Sequence, residues 1–191
     1  MMFIPKVNTV HYDAPTFTYS FPQLITKDTC KEYRNQFPHS NTSNVHAWHS
    51  GYNTHKKSNV FQPLVDTVLL MCYDISKEYY NVPVTHPYHY EVDDLWLSMY
   101  EKNDYTVMHD HFPATFAACY YVDVKEFNGL SEQKNKYSSS PITFKSQPDD
   151  LDIQPVNGML LIWMGMMKHK VEPTNKERTC ICMNIRLTKN E

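Results

Sequence analysis

The pattern of apolar and polar positions divides the chain near residue 83. After Asn59 the apolar residues Phe61, Leu64, Val65, Val68, Leu69, Cys72 and Ile75 recur at intervals of three and four, with Pro63 near the first turn, which predicts an amphipathic helix. A shorter helix through Phe37 is predicted from Thr29-x-x-Glu32, a capping-box pattern that opens it. Beyond Asn81-Val82-Pro83 the period changes to short alternating or wholly apolar runs over 94–100, 105–111, 116–124, 142–145, 159–164 and 178–187, which predict strands. Helices followed by strands define an α+β, mainly β chain whose strands close into a sandwich or barrel. Residues 1–25, rich in Pro, Thr and Tyr, read as an extended arm or edge strands. The polar segment 128–155 is too long for a hairpin loop and is expected to form a lid or binding rim.

Composition narrows the class. At 191 residues one core is expected, giving a single domain over 1–191 with an arm and supporting helices in 1–90 and the core in 91–191. Fourteen tyrosines against four glycines suit β-strands. The formal net charge is -3 and the Lys and Arg residues are scattered, so nucleic acid is a disfavoured partner. The first residues contain no seven-residue apolar stretch, and the longest apolar run, 159–167, is far below the roughly 20 residues that span a bilayer. The five cysteines lack CxxC spacing and read as reduced thiols of a cytoplasmic protein, Cys180 and Cys182 packing along one strand face.

Candidate chemistry sits in Met108-His109-Asp110-His111. In a strand, residues i and i+2 point to one face about 6.6 Å apart, so His109 and His111 can bracket a metal ion. Among ten histidines such a pair also arises by chance. A Gly158-led apolar run, a tight Met164-Gly165 turn and His169-Lys-Val171-Glu-Pro173 add a third imidazole from a distant strand, which closes one face of a coordination sphere and leaves the other open. Arg178 follows His169 by nine residues and shares strand parity with Cys180, Cys182 and Asn184, so all four are expected to face inward. A buried guanidinium needs an anion, either a cosubstrate carboxylate or a neighbouring Asp or Glu. His46, His49, His55, His86 and His89 fall in polar loops, where solvated rings are the ordinary reading, and none is assigned to metal.

The order His-x-His, a Tyr-Tyr strand, a Gly-led apolar strand, His, and Arg nine residues on resembles the 2-oxoglutarate/Fe(II)-dependent oxygenase superfamily. It is closest to the oxygenases of unknown substrate often found in bacteriophages and next to the prolyl 4-hydroxylases. The resemblance implies a double-stranded β-helix (jelly-roll) core with the N-terminal helices packed against it. It implies His109, His111 and His169 as catalytic metal ligands. Arg178, Tyr121 and Tyr100 would bind the cosubstrate, with Asn184 counted on the same inward face. The implied cofactors are Fe(II), 2-oxoglutarate as cosubstrate and dioxygen, with ascorbate a further candidate. Tyr100 and Tyr121 occupy positions that bear tyrosines in the prolyl hydroxylase branch, although each would serve equally as a core aromatic. The reaction implied is hydroxylation of an unidentified substrate, a prolyl or other protein side chain being favoured.

One position departs from the superfamily: His111 stands where Asp or Glu is usual. An all-histidine face brings no ligand charge to the metal, and Asp110 would reach it only if a β-bulge turned it inward. Two other readings stay open. A cupin-like three-histidine metalloprotein with different chemistry explains His111 better, although 112–123 lacks the glutamate expected in cupins. The other is a phage jelly-roll binding or structural module that keeps metal for stability alone.

Overall fold

The computed structural model describes residues 9–11, 14–21, 23–124 and 139–190. In chain order the elements are β1 (Thr9–His11), β2 (Thr16–Ser20), α1 (Lys27–Gln36), β3 (Val45–His46), β4 (Trp48–His49), α2 (Thr54–Lys57), α3 (Gln62–Asp74), β5 (Tyr88–Tyr100), β6 (Tyr105–His109), β7 (Phe116–Val124), β8 (Ile142–Phe144), β9 (Leu151–Ile153), β10 (Met159–Met164), β11 (His169–Val171) and β12 (Arg178–Lys189). They form an antiparallel seven-stranded sheet, β1-β2-β10-β7-β12-β5-β4, and a five-stranded sheet, β3-β6-β11-β8-β9. From β5 onward the chain crosses between the sheets, so that β5, β12, β7 and β10 face β6, β11, β8 and β9. This is a jelly roll, as expected.

Strand β7 shows why the fold holds together. Ala117, Cys119 and Tyr121 point between the sheets, where they meet Phe144, Leu161, Trp163 and Val171. Phe116, Ala118, Tyr120 and Val122 point to the opposite face, which the helices cover. Burial on both faces makes the strand a nearly continuous apolar run. On the helix side, Leu64, Val65, Val68, Met71 and Cys72 of α3 are buried. Burial of each larger aliphatic chain is worth roughly 1.5–3 kcal/mol, enough to hold a helix whose Val65, Thr67 and Val68 are only moderate helix formers.

Several expectations are corrected. The N-cap of α1 is Thr26, whose side chain accepts from the Thr29 N–H, so the helix opens a turn before the Thr29-x-x-Glu32 pattern. Strand β6 ends at His109, two residues short of the expected run. Within 128–155, residues 128–138 lie outside the described set; β8 meets the strand expected over 142–145, and β9, which was not expected, pairs with it in the smaller sheet. The N-terminal arm supplies strands to both sheets, since β2 pairs with β10, β3 with β6 and β4 with β5. No helix among the described residues is long and apolar enough to cross a membrane.

Candidate metal centre and the cavity behind it

His109, the last residue of β6, lies directly across from His169, the first of β11. Their ring centroids are 4.3 Å apart. The approach to β11 is a reversal at Gly165, where Met167 N donates to Met164 O over 2.9 Å. A Cβ at position 165 would overlap the backbone carbonyl of Ala114, so glycine is required by close packing. The same glycine fixes His111: the His111 N–H donates to Gly165 O at 2.7 Å, and Gly165 N–H donates to Thr115 O at 3.0 Å. His111 therefore reaches the cluster from a turn beyond the strand, and not by the alternation that the sequence suggested.

The ligand atoms of the three histidines lie within 4.8 Å of one another. Asp110 is not among them; its carboxylate accepts from the Phe112 N–H at 3.1 Å and turns outward. Nδ1 of His109 lies 2.8 Å from Val107 O, and Nδ1 of His169 lies 3.0 Å from Met167 O. A bond to a carbonyl requires the proton on Nδ1, which leaves the Nε2 lone pairs directed at the cluster. Nε2 of His111 and Nε2 of His169 are 3.3 Å apart. Two such nitrogens need either a shared proton or a shared cation.

Burial sets the charge of these rings. Desolvation, reinforced by the neighbouring imidazoles, lowers the pKa of His169 well below its ordinary value, and desolvation with His109 nearby brings His111 down to about 4. His109 is lowered as well, chiefly by desolvation. All three rings are then neutral near pH 7 and free to ligate. Trp163 packs edge-on to His169 at 4.9 Å and Trp96 stacks on His111 at 5.8 Å, giving the centre an aromatic wall. The neutral nitrogen donor set fits Fe(II) and other borderline divalent ions.

Behind the imidazoles a cavity runs inward to Arg178, which is 2% exposed. Its Nη1 donates to Ser140 O at 3.0 Å, and its Nε has no partner among the described residues. The guanidinium carbon sits 4.4 Å from the Tyr100 ring centre and 5.8 Å from that of Tyr121. No carboxylate among the described residues pairs with it. Tyr100 and Tyr121 line the same cavity, the Tyr100 hydroxyl bonding Thr106 at 2.6 Å, and desolvation raises both phenol pKa values, so they stay protonated. Buried Trp96 Nε1 and Trp163 Nε1, also on this lining, are donors without partners. An anionic, oxygen-rich ligand would satisfy all of these groups at once.

Asn184 is placed differently from Arg178. It lies at an outer cleft beside His111, where its Nδ2 donates to Asp94 at 2.9 Å and its Oδ1 is buried without a hydrogen bond of good geometry. The cleft is lined by His49, Tyr52, Asp94, Trp96 and Phe112 among others, and His109, His111 and Trp96 separate it from the inner cavity. His49, expected to be solvated, is 1% exposed and stacks on Trp96 at 5.7 Å. The sequence reading missed Trp96, although strand parity from an inward Tyr100 through Ser98 leads to it. Trp163 was equally accessible by parity with Leu161.

The jelly roll thus gathers three imidazoles, with a buried arginine cavity behind them and an open cleft in front. Residues 94–185, which contain His109, His111, His169, Arg178, Tyr100 and Tyr121 but not the His49 and Tyr52 side of the cleft, match the model of the family described as "Putative 2OG-Fe(II) oxygenase". Over those residues, just under half of the chain, the sequence is similar to that family of oxidoreductases. Among solved structures, a prolyl-4-hydroxylase from Pseudomonas putida superposes with TM-score 0.60 at 12% identity, covering 88% of this chain and 91% of that one. HygX from Streptomyces hygroscopicus, solved with nickel, 2-oxoglutarate and hygromycin B, gives TM-score 0.62 at 10% identity over 91% and 83% of the two chains. A prolyl hydroxylase from Trichoplax adhaerens, in complex with a hypoxia inducible factor peptide, gives 0.58 at 12% identity over 88% and 83%. At such identities the likeness shows the shared fold. No curated protein matches the sequence.

Proposed function

We propose that the protein is a hydroxylase that holds Fe(II) on His109, His111 and His169 and binds 2-oxoglutarate in the cavity that Arg178 closes. The observation that carries this reading is the buried Arg178 guanidinium, which lacks an acidic partner among the described residues and shares one cavity with three neutral imidazoles. Its planar fork suits the distal carboxylate of a dicarboxylic cosubstrate. Tyr121 and Tyr100 flank that fork, and the indole donors of Trp96 and Trp163 are available to oxygen atoms nearer the imidazoles. With iron and 2-oxoglutarate bound, the centre would supply oxidation of a substrate C–H coupled to decarboxylation of the cosubstrate to succinate.

The chain's own residues divide the labour by position. Arg178 and its tyrosines anchor and orient the cosubstrate, and the aromatic wall limits water around it. Substrate enters by the outer cleft, where the 77% exposed Phe112 stands at the rim. Asp93, Asp94 and Asp110 line that cleft against one basic residue, Arg186, which pairs with Asp93 at 2.6 Å. That balance disfavours a polyanionic substrate and supports a protein side chain, with prolyl the leading candidate in view of the prolyl hydroxylase fold relatives.

Succinate release from 2-oxoglutarate, measured with Fe(II) and dioxygen with and without proline-containing peptides, tests the proposal. Turnover that depends on iron and is abolished by His169→Ala, with the fold intact, is the expected result. Full turnover in the His169→Ala variant would reject the assignment of the centre.

A further inference from the structure

A second cluster of ligating atoms lies deeper in the jelly roll. Cys182 of β12 stands directly across from Cys119 of β7 in the strand register, and their Sγ atoms are 3.6 Å apart. Cys180, two residues back on the same face of β12, completes a group whose sulfurs all lie within 4.8 Å of one another. All are free thiols. Cys119 and Cys180 are 4% and 1% exposed, and all three line the cavity that also holds Arg178. The remaining cysteines, Cys30 and Cys72, belong to the helix-side core.

We propose that Cys119, Cys180 and Cys182 form a second metal site, selective for a thiophilic divalent ion such as Zn(II) or Cd(II) and distinct from the histidine centre. A tetrahedral ion with bonds of about 2.3 Å to sulfur spaces its sulfurs about 3.8 Å apart, which the observed 3.6 Å contact already approaches. The cavity offers the fourth position to water. Binding forms three metal–sulfur bonds and releases the three thiol protons to solvent. Three thiolates and a divalent ion leave one negative charge, which the buried Arg178 guanidinium in the same cavity offsets while no 2-oxoglutarate carboxylate occupies its fork. The ordinary alternative, three small side chains filling a core, uses none of this convergence.

Co(II) titration of the full chain, reduced and freed of metal by chelation, separates the two sites. Sulfur ligation produces an intense near-ultraviolet thiolate-to-Co(II) charge-transfer band, whereas imidazole ligation does not. The expected result is such a band in the wild type that persists in His169→Ala, weakens in Cys182→Ala and vanishes in the triple variant Cys119→Ala, Cys180→Ala and Cys182→Ala. Zn(II) should bleach it by displacement. A wild type without the band, or a band that survives the triple variant, overturns the site. Should the triple variant fail to fold, the partly exposed Cys182 decides alone, because an unchanged band in folded Cys182→Ala has the same force.

Discussion

Replacing Arg178 by Met keeps the length and apolar volume of the side chain while removing a buried charge. Among the described residues that guanidinium has one hydrogen bond, to Ser140 O, and one close aromatic face, Tyr100 at 4.4 Å, with no partner for Nε. Loss of the charged hydrogen bond costs about 1.5–3 kcal/mol. Relief of the desolvation penalty of an ion without an acidic partner returns an amount of the same order. The two nearly cancel, so the thermal midpoint of the metal-free protein should move by no more than about 2–4 °C. Cosubstrate binding has no such compensation: losing a charge-assisted carboxylate contact of roughly 1.5–3 kcal/mol weakens 2-oxoglutarate about 10- to 150-fold. Calorimetric titration of 2-oxoglutarate and thermal unfolding, made on the same preparations, read the two effects separately. An unchanged dissociation constant together with a destabilisation of several kcal/mol would show that Arg178 serves the scaffold, and the reasoning would be refuted.

Three further outcomes follow from the histidine centre. His111→Ala should lose Fe(II) binding while Asp110→Ala largely keeps it, because Asp110 faces Phe112, and His111→Asp should bind Fe(II) with partial turnover; the reverse order of the two alanine variants would place Asp110 on the metal. Gly165→Ala should impair iron binding out of proportion to its distance from the ligands, since a methyl group there collides with Ala114 O and displaces the backbone that holds His111; unchanged iron affinity in a folded variant would remove Gly165 from that role. Metal-free protein should lose stability as pH falls from 6.5 towards 4, because the unfolded chain takes up a proton on His111 that the folded chain, with its pKa at about 4, refuses. That single group contributes about 3 kcal/mol across the window, after which the loss levels off, and His109 and His169 add in the same direction. Denaturant melts that are flat between pH 6.5 and 4 would contradict the burial argument.

Local pattern and register carried different parts of this structure. Strands β7 and β10 were legible because each is buried for most of its length, and β12 because its first eight residues are buried or half-buried, so their apolar runs stand out against the polar connections. Strand β11 was not, because His169-Lys-Val171 offers three residues of mixed character whose strand geometry comes wholly from pairing with β6 and β8. Strand β9 was hidden in the polar segment for the same reason.

The site depends most on the places where strand alternation breaks. Tyr121 and Val124 both face the cavity side, although alternation would put them on opposite faces. The register shift of β7 against β12, between Thr179 and Cys180, supplies the extra residue that allows it. A second shift, between β12 and β5 after Asn184, falls within the cleft, which both Asn184 and Arg186 line. Between these irregularities β12 stays regular, and parity from Arg178 correctly brought Cys180 and Cys182 inward. Cys119 could not be joined to them from sequence, because only the register that sets it opposite Cys182 brings the third sulfur close, and a slip of one residue would send it to the helix side. His111 is the same lesson in reverse: alternation pointed to a residue that does lie beside His109 and His169, while the force that holds it is a backbone bond to Gly165, a contact between distant segments that no local pattern encodes.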